Sequence, residues 1–352
     1  MTDLPSPYPY FGGKAKVAGE IWKRLGDPPV YVEPFFGSGA VWLARPNVNP
    51  DRHLERLNDL SAYIPNFWRA MQHDPAAVAH HANNPAFECD LHARHLWLVN
   101  QKGDLGERLM ASPDYYDAKI AGWWVWGAAL WIGSGWCSGK GGWIAHEGRL
   151  VRAESVGIDA DGVKRQTLHQ GDAGRGIARQ TLHQGNAGRG IARKTNEGGV
   201  QDYFEALQAR LHRGVSVHCG DWSRLLKPAI AWGLNGNNPT LTGIVLDPPY
   251  TFDNRDDVYE HDQDISAEVA QWALENGDNK NLRIAYCAYS TPDEVARFAA
   301  AEWEVVNWKA NGGYANNGAV RNGNKYREVV YFSPHCLKPG GQMSLFDVRI
   351  ER

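Results

Sequence analysis

The chain of 352 residues is 43% apolar, enough to bury one large α/β domain and a smaller companion. Its formal net charge of -3 excludes a protein that binds nucleic acid over its whole surface, so a DNA site has to be a local patch. Apolar runs fall short of the roughly 18 residues of a membrane span, the opening MTDLPSPYPYFGGK lacks a signal-peptide pattern, and five widely spaced cysteines make neither a disulfide framework nor a zinc site. A cytoplasmic protein is the expectation.

In chain order, a helical pattern from Lys14 to Leu25 leads into a strand at Val30–Glu33, which ends in Pro34-Phe35-Phe36-Gly37-Ser38-Gly39. A second strand is predicted at Leu54–Asn58, closing on Asp59, with a helix from Ser61 to Gln72. Further strands are predicted at Val215–Cys219, Gly243–Leu246 and Leu282–Ala288, with helices near Ala267–Glu275 and Pro292–Ala301. Trp303–Trp308 and Glu328–Phe332 read as a closing hairpin with a polar, glycine-rich excursion between them. This alternation is that of an α/β sheet.

Between Asp74 and Arg213 the rhythm breaks, which predicts a separate domain or a large insertion. Six tryptophans (Trp123, Trp124, Trp126, Trp131, Trp136 and Trp143) crowd its first half; most of these rings are expected in a core, with a wedge into DNA as the other use. Its second half holds a fourteen-residue tandem repeat, RQTLHQGDAGRGIA from Arg165 and RQTLHQGNAGRGIA from Arg179, differing only at Asp172 and Asn186. From Lys164 to Lys194 seven Lys/Arg face one Asp, so this glycine-rich stretch is either a loop that follows phosphates or a neutral duplication. Arg165, Arg175, Arg179 and Arg189, with Trp136 and Lys140, are the candidate DNA contacts.

Glycines after a first strand let the backbone approach a ligand, and an acid ending the next strand can hold ribose hydroxyls. Gly37, Gly39 and Asp59 fit that geometry, which a nicotinamide enzyme would share. Glu33-Pro34-Phe35 directly before the glycines, with no G-x-G-x-x-G running into the helix, suits a sulfonium amino-acid nucleoside better than a pyrophosphate. After the third strand, Asp221 and Trp222 offer a carboxylate beside an indole face, suited to an adenine ring; Asp221 as a plain helix cap is the alternative.

Val245-Leu246-Asp247-Pro248-Pro249-Tyr250 is the most informative stretch. An apolar strand delivers a carboxylate, two stiff prolines and an aromatic ring to one spot. An exocyclic base amine is a poor nucleophile because its lone pair is delocalised, so an enzyme must accept its hydrogens. Asp247 and the Pro248 carbonyl suit that task, since proline fixes φ and brings no competing N–H, and Tyr250 would stack on a base turned out of the helix. Methylation of cytosine C5 needs a cysteine, usually after proline, and all five cysteines follow Glu, Trp, His or Tyr.

With these residues in hand, the chain resembles the Dam-like family of DNA adenine-N6 methyltransferases. Tyr10-Phe11-Gly12-Gly13-Lys14 is similar to the family's N-terminal motif, Glu33 to Gly39 to its glycine motif, Asn58-Asp59 to its ribose-binding acid and Asp247 to Tyr250 to its catalytic tetrapeptide. The resemblance implies a class I methyltransferase fold, Rossmann-like, with a mixed seven-stranded sheet and an inserted target-recognition domain. It implies S-adenosylmethionine as cofactor, with Tyr10 and Lys14 at its amino-acid end, Glu33, Pro34, Phe35, Gly37 and Gly39 around its pocket, and Asp59, Asp221 and Trp222 at its ribose and adenine. Asp247, Pro248, Pro249 and Tyr250 are then catalytic on double-stranded DNA, and no metal is expected because direct methyl transfer needs none. Cytosine-N4 methylation is the rival within the class, and a DNA-binding protein with a vestigial pocket the rival outside it.

The expected organisation is a catalytic domain in two parts, 1–73 and 213–336, around a recognition domain or insertion at 74–212, followed by a tail, 337–352. In that tail Gln342-Met343-Ser344-Leu345-Phe346 resembles peptides that dock bacterial sliding clamps, with Gln342 at a pocket rim and three apolar side chains in a groove.

Overall fold

The computed structural model describes residues 4–10, 12–131, 136–137, 143–146, 149–152, 199–228, 240–249, 265–308 and 328–339. Tyr250, Lys140, Arg165, Arg175, Arg179, Arg189 and the tail peptide 342–346 lie outside them. The elements are α1 (Ala18–Leu25), β1 (Val30–Glu33), α2 (Ala40–Leu43), β2 (Leu54–Asp59), α3 (Tyr63–His73), α4 (Pro75–Ala82), α5 (Glu88–Ala111), α6 (Ala118–Leu130), β3 (Trp143–His146), β4 (Arg149–Arg152), α7 (Gly199–Arg210), β5 (Val215–Cys219), β6 (Thr242–Leu246), α8 (Ser266–Asn276), β7 (Leu282–Tyr289), α9 (Pro292–Ala300), β8 (Glu304–Asn307) and β9 (Glu328–Phe332).

The β-branched and aromatic runs pair into one seven-stranded sheet in the order β5-β2-β1-β6-β7-β9-β8. Neighbours from β5 to β7 are parallel, and β9 runs antiparallel between β7 and β8. This mixed sheet is the class I methyltransferase fold, and β8 and β9 form its antiparallel close. Successive residues go to opposite faces: Tyr31, Val245, Cys287 and Val330 enter one core, Val32, Leu246, Tyr286 and Tyr331 the other. Burial on both faces is why these strands read as continuous apolar runs rather than alternating ones.

Sequence boundaries shift by a residue or two, except at the first helix. It begins at Ala18 rather than Lys14, because the Lys14 carbonyl takes both Val17 N–H (3.0 Å) and Ala18 N–H (2.9 Å) in a tight entry turn. Lys14 therefore leaves the helix face and turns towards the strand ends.

The stretch without a clear rhythm contains α4, α5, α6 and, before β5, α7. Side chains of α3 hold their ends. Asn66 exchanges two hydrogen bonds with the Asp117 backbone (3.0 and 2.9 Å), Asp117 caps α6 through Ile120 N–H (2.8 Å), and Arg69 donates to the Leu109, Ser112 and Tyr115 carbonyls. Trp124 and Trp126 are buried, and Trp123, Trp131 and Trp136 pack against the same core. Among the described residues, the tryptophan cluster serves packing first.

Candidate functional site

Strand order reverses between β1 and β6: β2 continues the sheet on one side and β7 on the other. Loops leaving the carboxyl ends of β1 and β6 therefore diverge and open a crevice, the usual ligand position in an open α/β sheet. Its walls come from the entry turn before α1 (Tyr10, Lys14), the loop after β1 (Pro34 to Ser38), the end of β2 (Asn58, Asp59), the turn after β5 (Gly220 to Trp222) and the end of β6 (Asp247, Pro249).

Hydrogen bonds lock these loops together. Asp59 accepts the Gly37 N–H through one carboxylate oxygen (2.9 Å) and the Ser61 N–H through the other (2.9 Å). Asn58 donates to the Pro34 carbonyl (3.0 Å) and the Gly220 carbonyl (2.9 Å), so one amide joins the ends of β1, β2 and β5. Gly37 has φ +49° and Gly39 φ +69°, a region L side chains rarely adopt. A Cβ at Gly37 would stand 2.8 Å from the Tyr10 ring and one at Gly39 2.7 Å from the Phe36 ring.

At the β6 side, Lys14, 3% exposed, pairs with Asp247 (Nζ to Oδ1 2.9 Å) and donates to the Gly12 carbonyl (2.6 Å). Beside them burial pushes the Glu33 carboxyl well above its ordinary range; the Tyr31 hydroxyl, which donates to it (2.7 Å), pulls the other way, and Asp247 adds to the rise. Burial and the neighbouring Asp247 also push the Cys287 thiol up, which keeps it protonated. The crevice thus combines one buried cation, an ionic partner at the strand end and a second acid driven towards its neutral form. At the opposite wall the Phe35 and Trp222 rings stack at 5.9 Å between centroids with 28° between planes.

The crevice gathers Tyr10, Lys14, Glu33, Pro34, Phe35, Gly37, Asp59, Asp221, Trp222, Asp247 and Pro249 from the sequence reading. Gly39 stands outside the lining as the left-handed residue that starts α2, and Pro248 is buried between the lining residues Asp247 and Pro249. Asp221 also caps: its Oδ1 accepts the Ser223 N–H (2.9 Å) and hydroxyl (2.5 Å) at the start of the 3-10 turn Trp222–Leu226. Trp136 lies within the helical core, donating its indole N–H to the Trp124 carbonyl (2.9 Å) and packing on His95 and Trp131.

The reading missed the bridging role of Asn58 and missed Tyr8, whose buried hydroxyl donates to the Gly37 carbonyl (2.8 Å). Asn58 stood next to the acid that drew attention, but the partner residue Gly220 belongs to a turn far along the chain. Tyr8 sits in a proline-rich lead-in with no periodicity to mark it.

A sulfonium amino-acid nucleoside needs a cation for its carboxylate, an acid for its ribose and an apolar wall for its base. Lys14, Asp59 and the Phe35–Trp222 stack supply these three chemistries in one crevice, with the glycine backbone at Gly37 too close to Tyr10 for any side chain. Residues 10–96 match the model of a family described as D12 class N6 adenine-specific DNA methyltransferase. No curated protein matches the chain.

Proposed function

We propose, of a chain that belongs to the Dam-like family of DNA adenine-N6 methyltransferases, that Asp247 and the Pro248 carbonyl hold the N6 amine of an adenine turned out of double-stranded DNA for direct in-line methylation. Such an enzyme uses S-adenosylmethionine, which supplies an electrophilic methyl group on a sulfonium sulfur. The observation that carries the reading is the 2.9 Å pairing of Lys14 with Asp247 at the edge of a crevice whose other walls hold Asp59 and the Phe35–Trp222 stack. It joins the residues suited to the cofactor and the acid suited to the base at one strand end.

In this reading Lys14 and Tyr10 receive the amino-acid end of the cofactor, Asp59 orients its ribose hydroxyls, and Phe35 and Trp222 cover its adenine, with Asp221 at the rim. Asp247 accepts a hydrogen bond from the target amine and draws its nitrogen towards tetrahedral geometry, which takes the lone pair out of conjugation with the ring, while the fixed φ of Pro248 keeps the adjoining carbonyl in place. Tyr250 stacks on the turned-out base. Positioning carries much of the acceleration, and no covalent enzyme intermediate is involved. The segment 74–212 acts as the target-recognition domain, with Arg165, Arg175, Arg179, Arg189 and Lys140 as its DNA contacts, while Trp136, packed in the helical core, supports it from within. Clamp docking by Gln342–Phe346 rests on its residue pattern alone.

The test is incubation of the purified protein with radiolabelled S-adenosylmethionine and unmethylated DNA, followed by nucleoside analysis, with Asp247→Ala alongside. Label is expected in N6-methyladenine and absent with the variant. Label in N4-methylcytosine would move the acceptor to the other exocyclic amine, and equal label with Asp247→Ala would remove Asp247 from the chemistry.

A further inference from the structure

Tyr8 is 1% exposed, yet its hydroxyl reaches a single backbone atom of the cofactor loop: it donates to the Gly37 carbonyl at 2.8 Å. The same Gly37 is fixed on its other side, where its N–H donates to Asp59 at 2.9 Å. A residue held at both its N–H and its carbonyl in a left-handed conformation (φ +49°) cannot rotate about its Cα without breaking one of these bonds. The ring of Tyr8 is itself held from outside the sheet. Trp124 of α6 meets it edge-on at 4.7 Å between centroids and Phe67 of α3 at 5.6 Å, nearly perpendicular, and these T-shaped contacts fix the ring plane and so the direction of the hydroxyl.

We propose that Tyr8 is a positioning residue for the cofactor crevice, fixing the Gly37 peptide and through it the backbone that Asp59 and Tyr10 flank, while α6 holds Tyr8 in place through Trp124. The inference rests on the reading of this crevice as the S-adenosylmethionine site. It makes the helical segment part of the cofactor site's support, because Trp124 reaches the glycine loop through one side chain. Burial keeps the Tyr8 hydroxyl protonated, which it must be to donate.

The experiment is calorimetric titration of the full chain with S-adenosylhomocysteine, beside melting temperature and a KM-against-kcat split for S-adenosylmethionine. Tyr8→Phe keeps the ring and removes only the hydroxyl. Tyr63→Phe is the matched control: Tyr63 is equally buried and stacks on the same Trp124, but its hydroxyl donates to the Leu98 carbonyl of α5 (2.6 Å) rather than to the glycine loop. Both variants should melt a few degrees lower. Tyr8→Phe should in addition weaken S-adenosylhomocysteine binding about five- to tenfold, the weight of one net hydrogen bond, with the loss appearing in KM, while Tyr63→Phe stays within about twofold of wild type. Equal affinity for Tyr8→Phe and wild type, or equal weakening in both variants, overturns the proposal. Failure of the wild type to bind would instead sink the cofactor reading beneath it.

Discussion

Gly37 is the residue on which the crevice turns. Its positive φ, the 2.8 Å gap to the Tyr10 ring and hydrogen bonds at both its N–H and its carbonyl leave no room for a β-carbon. Gly37→Ala should cost roughly 1–2 kcal/mol for the left-handed backbone alone and also displace Tyr10. The expected outcome is a lower urea midpoint together with weaker S-adenosylhomocysteine binding; a lower midpoint with unchanged binding would take the Tyr10 ring out of the site. Lys14 shows the same dependence on place. As a residue of a helix face it would be one more solvated lysine, but the entry turn before α1 buries it against Asp247. A buried charge of this kind is tolerated only with a partner and further hydrogen bonds, and the 2.6 Å bond to the Gly12 carbonyl supplies one of them.

Strand β2 supports the site from its far end. Glu55, fully buried there, accepts from Trp42 Nε1 (2.7 Å), Arg45 (2.9 Å), both terminal nitrogens of Arg210 (2.6 and 2.9 Å), and contacts His212 at 3.2 Å. Burial alone would raise its pKa, but the hydrogen bonds from His212 and Arg210 and the charges of Arg210 and Arg45 outweigh it and hold the carboxyl far below its ordinary range. The hub ties α2 and the end of α7 to β2, so the chain returning from the middle region re-enters the sheet at a fixed place. Glu55→Gln leaves Arg45 and Arg210 with an uncharged partner and should cost about 3–5 kcal/mol near neutral pH. Because the folded carboxyl titrates lower than the unfolded one, its contribution is complete above the unfolded pKa of about 4.3 and fades as pH falls below it. Urea midpoints measured from pH 7 down to pH 3 should therefore converge for wild type and variant, and parallel curves would show that Glu55 is not held as a carboxylate. The elements harder to read lie in the middle region. Helix α6 carries AKIAGWWVWGAAL and is packed by α3, α4 and α5; a helix covered on several sides is apolar all round and offers no amphipathic stripe to detect. The strands of the sheet were legible because their own apolar runs, bounded by glycine and proline turns, carry the signal locally.

Across the whole molecule the charge is nearly balanced, so affinity for DNA has to come from a few concentrated cations. We propose that the repeat stretch supplies part of it. Deleting one copy, residues 165–178, removes Arg165 and Arg175 and should weaken DNA binding at low salt and reduce the slope of log affinity against log salt by up to about 2, with S-adenosylhomocysteine binding unchanged. A salt slope equal to that of wild type would leave the repeat a neutral duplication. The chemistry of the site was written in short segments, because a strand end, a glycine turn and Asp-Pro-Pro are local structures whose residue types already limit what they can hold. Sequence alone determined the strands of the seven-stranded sheet, though not the separate β3–β4 pair, together with the glycine loop, the acid at the end of β2 and the tetrapeptide after β6. Which of these would meet was decided by tertiary structure. The reversal of strand order between β1 and β6 brings their loops to one crevice, Asn58 reaches 162 residues ahead to Gly220, Lys14 finds Asp247, and Tyr8 closes on Gly37. The physical reason is that these contacts are made by single polar atoms between distant turns, and such bonds leave no periodicity in the chain; only the packed sheet, which fixes where each strand ends, determines them.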